Sequence, residues 1–121
     1  MRILIVEDDR SQQVLLKGLL DQALNATFQV TCVSGLSEAQ EQHDEADLII
    51  LDLGLSDATK EEVFAWLRAC SVPVVVCSGY LSPGVIRTCA EAGAMCVCAK
   101  TNMAEQIVAS VLFAIAKSAL Q

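Results

Sequence analysis

"ILIVEDD", residues 3–9, sets four apolar residues, Ile3 to Val6, directly before three acids, Glu7, Asp8 and Asp9. An apolar run this short, bounded by charge, reads as a strand covered on both faces. Three adjacent carboxylates at its end are costly, because each raises the work of ionising the others. The stretch thus poses two questions: what sheet the strand belongs to, and what the acids hold.

Similar runs recur. "LIIL" occupies 48–51, "PVVVC" 73–77 and "MCVCA" 95–99, while "FQVTC" at 28–32 alternates and so fits a strand wet on one face, at an edge of the sheet. Helix-period segments lie between and after them, at about 10–24, 36–44, 60–69, 83–92 and 103–119. Asp9 with Gln12, Thr59 with Glu62 and Asn102 with Glu105 have the spacing of a helix cap and its third-residue partner. Ser82 before Pro83 reads as a cap followed by a first-turn proline. Five β/α units predict an α/β fold, a doubly wound parallel sheet with helices on both faces. With 121 residues, 1–121 are expected to form one domain.

Composition narrows the function. The chain is 54% hydrophobic, yet charges break its apolar runs before any reaches the ~18 residues of a membrane span. "MRILIV" enters the first strand directly, so neither a signal peptide nor a location outside the cytoplasm is expected. Net charge is −7, and the eight basic residues are scattered, which argues against direct binding of nucleic acid. Six cysteines, Cys32, Cys70, Cys77, Cys89, Cys96 and Cys98, lie in apolar surroundings without a CxxC pair. They read as small buried hydrophobes rather than a metal or redox site, with Cys96 and Cys98 on one face of their strand. His43, the lone histidine, sits in a polar run and reads as a solvated helix residue.

Polar residues follow the apolar runs: Glu7 and Asp8, then Asp52, Ser78 and Lys100. In an open parallel sheet these positions share the carboxyl rim, where ligands bind at the reversal of strand order. Clustered acids call for a cation, and hard oxygen donors suit Mg²⁺ better than zinc or copper. With metal and Lys100 offsetting its charge, Asp52 can attack a phosphoryl group and form an aspartyl phosphate. Lys100 and the Ser78 hydroxyl are suited to hold the transferred oxygens. Singly, such residues are more often caps, turn residues or solvated charges. Their joint placement at four strand ends carries the reading.

"ILIVEDD", "LIILDLGL", "VVVCSG" and "GAMCVCAK" stand in the order and spacing of signature segments of the receiver domains of two-component response regulators, which the whole chain resembles. The resemblance implies a flavodoxin-like three-layer sandwich with strand order 2-1-3-4-5. It implies Asp52 as phosphoacceptor, Glu7 and Asp8 as the acidic pair around Mg²⁺, and the Gly54 carbonyl as a further metal ligand. Ser78 becomes the switch hydroxyl, Lys100 the phosphate-contacting lysine, and a sensor histidine kinase or phosphotransfer protein the donor. Asp9 reads as the cap of the first helix rather than a ligand.

The chain also departs from that family. Val97 stands where an aromatic residue is usual, so the relay is altered or uses another residue such as Tyr80. Thr101 replaces the usual proline after the lysine, and since a non-proline cis bond costs ~3 kcal/mol, a trans bond is expected. "LSDATKEE" lacks the proline and glycine usual after the phosphoacceptor.

Three other readings compete. A phosphatase or dehalogenase would carry a second acid two residues after its nucleophile, where Gly54 stands. A flavodoxin-like cofactor binder would need a phosphate cradle where the acidic triplet lies. A receiver-like module working without phosphorylation is the alternative that Val97 and Thr101 allow.

In the last helix Ala104, Ile107, Val108, Val111, Leu112 and Ile115 form one apolar stripe, expected to dock on the sheet. Ala109, Phe113, Ala116 and Leu120 form a second. A helix apolar nearly all round is expected to be buried on both sides, which points to a homodimer or effector-domain contact.

Overall fold

In the computed structural model, which describes residues 1–24 and 28–119, five parallel strands form one sheet. They are β1 (Arg2–Val6), β2 (Gln29–Val33), β3 (Leu48–Leu51), β4 (Val74–Ser78) and β5 (Cys96–Ala99), in the order β2-β1-β3-β4-β5. The helices are α1 (Arg10–Ala23), α2 (Leu36–Gln42), α3 (Lys60–Ala69), α4 (Pro83–Glu91) and α5 (Met103–Ala119). This is the flavodoxin-like, doubly wound α/β sandwich expected from the alternating runs.

Strand alternation divides the core in two. Leu4, Val6, Ile49, Leu51, Val74 and Val76 face α2, α3 and α4, meeting Leu36, Val63, Trp66, Leu67 and Cys89. Ile3, Ile5, Leu48, Ile50, Val75 and Cys77 face the other way, onto Leu16 and Leu20 of α1 and Ile107 and Val111 of α5. Burying each such side chain contributes roughly 1.5–3 kcal/mol, so strands coated on both faces anchor the fold. Edge strand β2 keeps Gln29 and Thr31 exposed between inward residues, as its alternation predicts.

Caps fix three of the helix starts. Asp9 accepts from the N–H groups of Ser11 and Gln12, Thr59 and Glu62 form a reciprocal capping box, and Ser82 accepts from Val85 N–H ahead of Pro83. Asn102 differs from expectation. It closes a 3₁₀ turn, Lys100–Asn102, that runs into α5, so it lacks the extended backbone a cap residue needs. β2 and β4 each begin and end one residue later than their apolar runs, and Pro73 joins the ladder only through its carbonyl, which accepts from Ile49 N–H at 2.9 Å. α2 stops at Gln42 and gives way to a 3₁₀ turn, His43–Glu45, that holds His43 edge-on to Trp66 at 6.0 Å rather than in a solvated helix.

The stripe expected on α5 is rotated. Met103, Ile107, Val111 and Ala114 are its buried line, whereas Ala104 and Leu112 face outward. With apolar residues nearly all round, hydrophobic period alone does not select a face. Ala109, Phe113 and Ala116 of the second stripe are exposed, so the helix is not buried on both sides within this chain; Leu120 lies outside the described residues.

Candidate functional site

Register brings the polar residues together. Val6 pairs with Leu51, and the ladder runs one residue further, Asp52 N–H donating to the Val6 carbonyl at 3.0 Å and Glu7 N–H to the Val33 carbonyl at 3.0 Å. Glu7 and Asp52 therefore leave adjacent strands side by side. Ser78 pairs with Ala99 at the ends of β4 and β5, which sets Lys100 at the same rim. From the first turn of α1, Gln13 Nε2 donates to the Glu7 carbonyl at 2.6 Å and fixes the start of the acidic stretch.

The side chains converge further. Lys100 Nζ lies 2.8 Å from Glu7 Oε1 and 3.2 Å from Asp52 Oδ2. One oxygen each from Glu7, Asp8 and Asp52 lie within 4.8 Å of one another. Gly54 N–H donates to Asp52 Oδ1 at 3.1 Å, and Ser56 N–H to Asp8 Oδ2 at 3.0 Å. Gly54 thus meets Asp52 through its amide, which leaves its carbonyl uninvolved in that bond. Ser78 is buried at the end of β4. Asp9 turns away to cap α1, its carboxyl held below the ordinary value chiefly by the hydrogen bonds of Ser11 and Gln12.

Charge at this rim is strained. Burial, followed by the hydrogen bond with Asp52, pushes the Glu7 carboxyl up to about 7, against the opposing pull of Lys100. Burial works to lower the Lys100 ammonium, but its hydrogen bond to Glu7 and the charges of Asp52 and Glu7 outweigh it and raise it above the ordinary lysine value. Glu7 Oε2 is buried with no hydrogen-bond partner among the described residues. A buried carboxylate with one orphaned oxygen, grouped with two further carboxylates, is a donor set that fits a small divalent cation.

The family model for the response regulator receiver domain matches residues 3–112. The chain belongs to the receiver domain family. The receiver is 29% identical over 115 residues to the sensory/regulatory protein RpfC of Xanthomonas campestris pv. campestris (strain 8004), covering 88% of this chain but 15% of that relative. Among solved structures it superposes on the signal receiver domain of a putative Luxo repressor protein from Vibrio parahaemolyticus with a TM-score of 0.85 at 24% identity, over 98% of this chain and 92% of the other. A response regulator from Thermotoga maritima gives 0.80 at 20% identity, over 95% and 97%. These likenesses establish the fold.

Two parts of the rim escape a reading of sequence runs. Gln13 is placed by helix geometry alone. Asp57 reaches across to the start of α2, where Leu36 N–H and Ser37 N–H donate to its carboxylate at 2.9 and 3.2 Å. The signal for the second was a helix beginning after Gly35, a residue with no side chain to cap it.

Val97 lies half-buried against the α2–α4 side of the core, Thr101 follows Lys100 through a trans peptide bond, and Tyr80 is exposed.

Proposed function

We propose that the receiver accepts a phosphoryl group on Asp52 from a sensor histidine kinase or phosphotransfer protein, with Mg²⁺ held by Glu7, Asp8, Asp52 and the Gly54 carbonyl. The observation that carries this reading is the contact of Asp52 with the Lys100 ammonium inside an acidic, buried rim. Bound Mg²⁺ would supply positive charge against the oxygens of the incoming phosphoryl group. An Asp52 oxygen forms the new bond to phosphorus as the donor's phosphorus–nitrogen bond breaks; the electron pair leaves with the donor imidazole, which takes a proton from solvent.

Lys100, a compact charge on a flexible stem, turns from the Asp52 carboxylate to the new phosphoryl oxygens, and the Ser78 hydroxyl donates to another. That rearrangement at the ends of β4 and β5 is passed to α5, which follows Lys100 within one turn and whose Leu112 and Phe113 form the output or dimer surface. Residues 1–121 act as one unit that catalyses only its own phosphorylation and dephosphorylation, in the cytoplasm beside its kinase. The name of the matched relative, a sensory/regulatory protein, supports a signalling role. A receiver-like module independent of phosphorylation is the second reading, favoured by Val97 and Thr101 and opposed by the joined Glu7, Asp52 and Lys100.

The intact mass after incubation with Mg²⁺ and a small acyl phosphate tests the proposal. A gain of one phosphoryl group by the parent and none by Asp52→Asn is expected. No gain from either the small donor or a histidine kinase, in folded protein, would overturn it.

A further inference from the structure

We infer that Asp57 is a positioning residue for this site, clamping the loop after Asp52 onto the start of α2; the inference rests on the reading of that rim as a Mg²⁺ and phosphoryl site. The first N–H groups of a helix need acceptors, and an anion is favoured there. α2 begins after Gly35, which can supply neither. Both oxygens of Asp57 do so instead, from a residue 20 to 21 positions further along the chain.

The same loop is tied to the acids. Gly54 N–H holds Asp52 and Ser56 N–H holds Asp8, and Ser56 is the residue immediately before Asp57. Fixing the Asp57 carboxylate on α2 therefore steadies the neighbouring Ser56 amide, which orients Asp8. Leu53 and Leu55 anchor the start of this loop in the core, but Ser56, beyond them, is exposed; released from α2, Ser56 would keep only its bond to Asp8 as a tie to the rim.

Gly35 supplies the matching half. A Cβ placed there would meet Asp57 Oδ2 at 2.5 Å and Cγ at 2.7 Å. Gly35 has φ −162°, ordinary extended backbone that any residue adopts. It is the seated carboxylate, then, that calls for glycine here. An Asp side chain is too short to clear a methyl group and still reach both N–H groups.

The two residues form a pair that a double-mutant cycle can read. Mg²⁺ titrations by calorimetry would compare the parent, Asp57→Ala, Asp57→Asn, Gly35→Ala and the Gly35→Ala/Asp57→Ala double variant, with a thermal melt of each. Removing groups that orient metal ligands weakens metal affinity by about ten- to a hundredfold, and a residue acting through one more amide is expected at the lower end, about tenfold for Asp57→Ala. Asp57→Asn, with one acceptor oxygen left, should fall between. Gly35→Ala should weaken affinity in the parent background and change nothing further once Asp57 is alanine.

A cap of purely structural importance would lower melting temperatures and leave Mg²⁺ affinity alone, which would overturn the inference; so would full additivity of the two substitutions. If Asp57→Ala fails to fold, Asp57→Asn and Gly35→Ala make the same comparison. A parent that binds no Mg²⁺ would overturn the metal reading itself, and the clamp's role with it, whereas a parent that binds and an Asp57→Ala variant that binds as tightly would overturn the clamp alone.

Discussion

Lys100 Nζ and Glu7 Oε1 lie 2.8 Å apart, joining the end of β5 to the end of β1 across the two strands between them in the sheet. Glu7 is nearly sealed from solvent while Lys100 keeps part of its side chain in water. The pair is therefore unequal. The acid bears most of the desolvation, and the base remains free enough to change partners. A buried acid with a mobile charge beside it should make the rim responsive to protons and to cations.

The first prediction concerns pH. In the metal-free folded chain, burial first and then the hydrogen bond to Asp52 hold the Glu7 carboxyl at about 7, against an ordinary 4.5. Between those values the folded state keeps a proton that the unfolded state has lost, so stability should fall as pH rises through this window and level off above it. The change is expected to be on the order of 1–3 kcal/mol. Asp9 and Asp57, held below 3.8, and Lys100, held above 10.5, titrate outside the window. Urea denaturation at pH 5 to 8 should show the slope in the parent and lose it in Glu7→Gln; a parent with flat stability would refute the assignment. Since a metal binds the deprotonated acid, Mg²⁺ affinity should climb over the same range.

Lys100→Ala gives the second. Removing the ammonium leaves Glu7 and Asp52 without their counter-charge, and breaking a buried pair ordinarily costs about 3–5 kcal/mol. Glu7 can relieve part of that by keeping its proton. The loss should therefore be larger at pH 8 than at pH 6, and Mg²⁺ should recover some of it by replacing the missing positive charge. Chemical denaturation at the two pH values, with and without the metal, measures this. Equal losses at both would mean that proton uptake at Glu7 does not compensate.

How much of this was legible depended on how local each signal is. The ends of β3 and α3 match their runs because Asp52 and the Thr59–Glu62 box punctuate them within a few residues. Glu7, Asp52 and Lys100 could be placed at one rim because parallel strands line up their carboxyl ends whatever the side chains do. The outward face of α5 was not legible, since Leu112 and Ile107 are equally apolar and only the packed sheet distinguishes them. Nor was Asp57, whose partners at Leu36 and Ser37 are brought near only by the fold. Composition carries no record of a cap supplied by a distant loop.

The third prediction is one of stability without chemistry. Thr59 Oγ1 accepts from Glu62 N–H at 3.1 Å, and Thr59 N–H donates to Glu62 Oε1 at 2.9 Å. Thr59→Ala should lower unfolding free energy by about 1 kcal/mol, within the ordinary range for a lost cap. Because the two bonds are reciprocal, the double Thr59→Ala/Glu62→Ala variant should lose less than the sum of the single losses. A full set of denaturation curves reads the coupling, and strict additivity would show that the box does not act as a unit.

The last prediction addresses the exposed face of α5. Leu112 and Phe113 are each 50% exposed, and the Lys117 ammonium lies 5.9 Å from the Phe113 ring. Two large apolar side chains at the surface do little for this chain's own core, so Leu112→Gln/Phe113→Gln should shift stability by no more than about 0.5 kcal/mol. If the face is where a second copy docks, the same substitutions should abolish self-association while phosphorylation of Asp52 proceeds as in the parent. Sedimentation velocity across a concentration series, before and after phosphoryl loading, separates the two effects. A variant that dimerises like the parent would remove this face from the interface, and a parent that stays monomeric in both states would refute the homodimer and leave an effector domain as the occupant to test. Lys117→Ala refines the result: a cation over an exposed ring contributes only about 0.5–1 kcal/mol, so its loss should weaken association slightly where loss of the rings eliminates it.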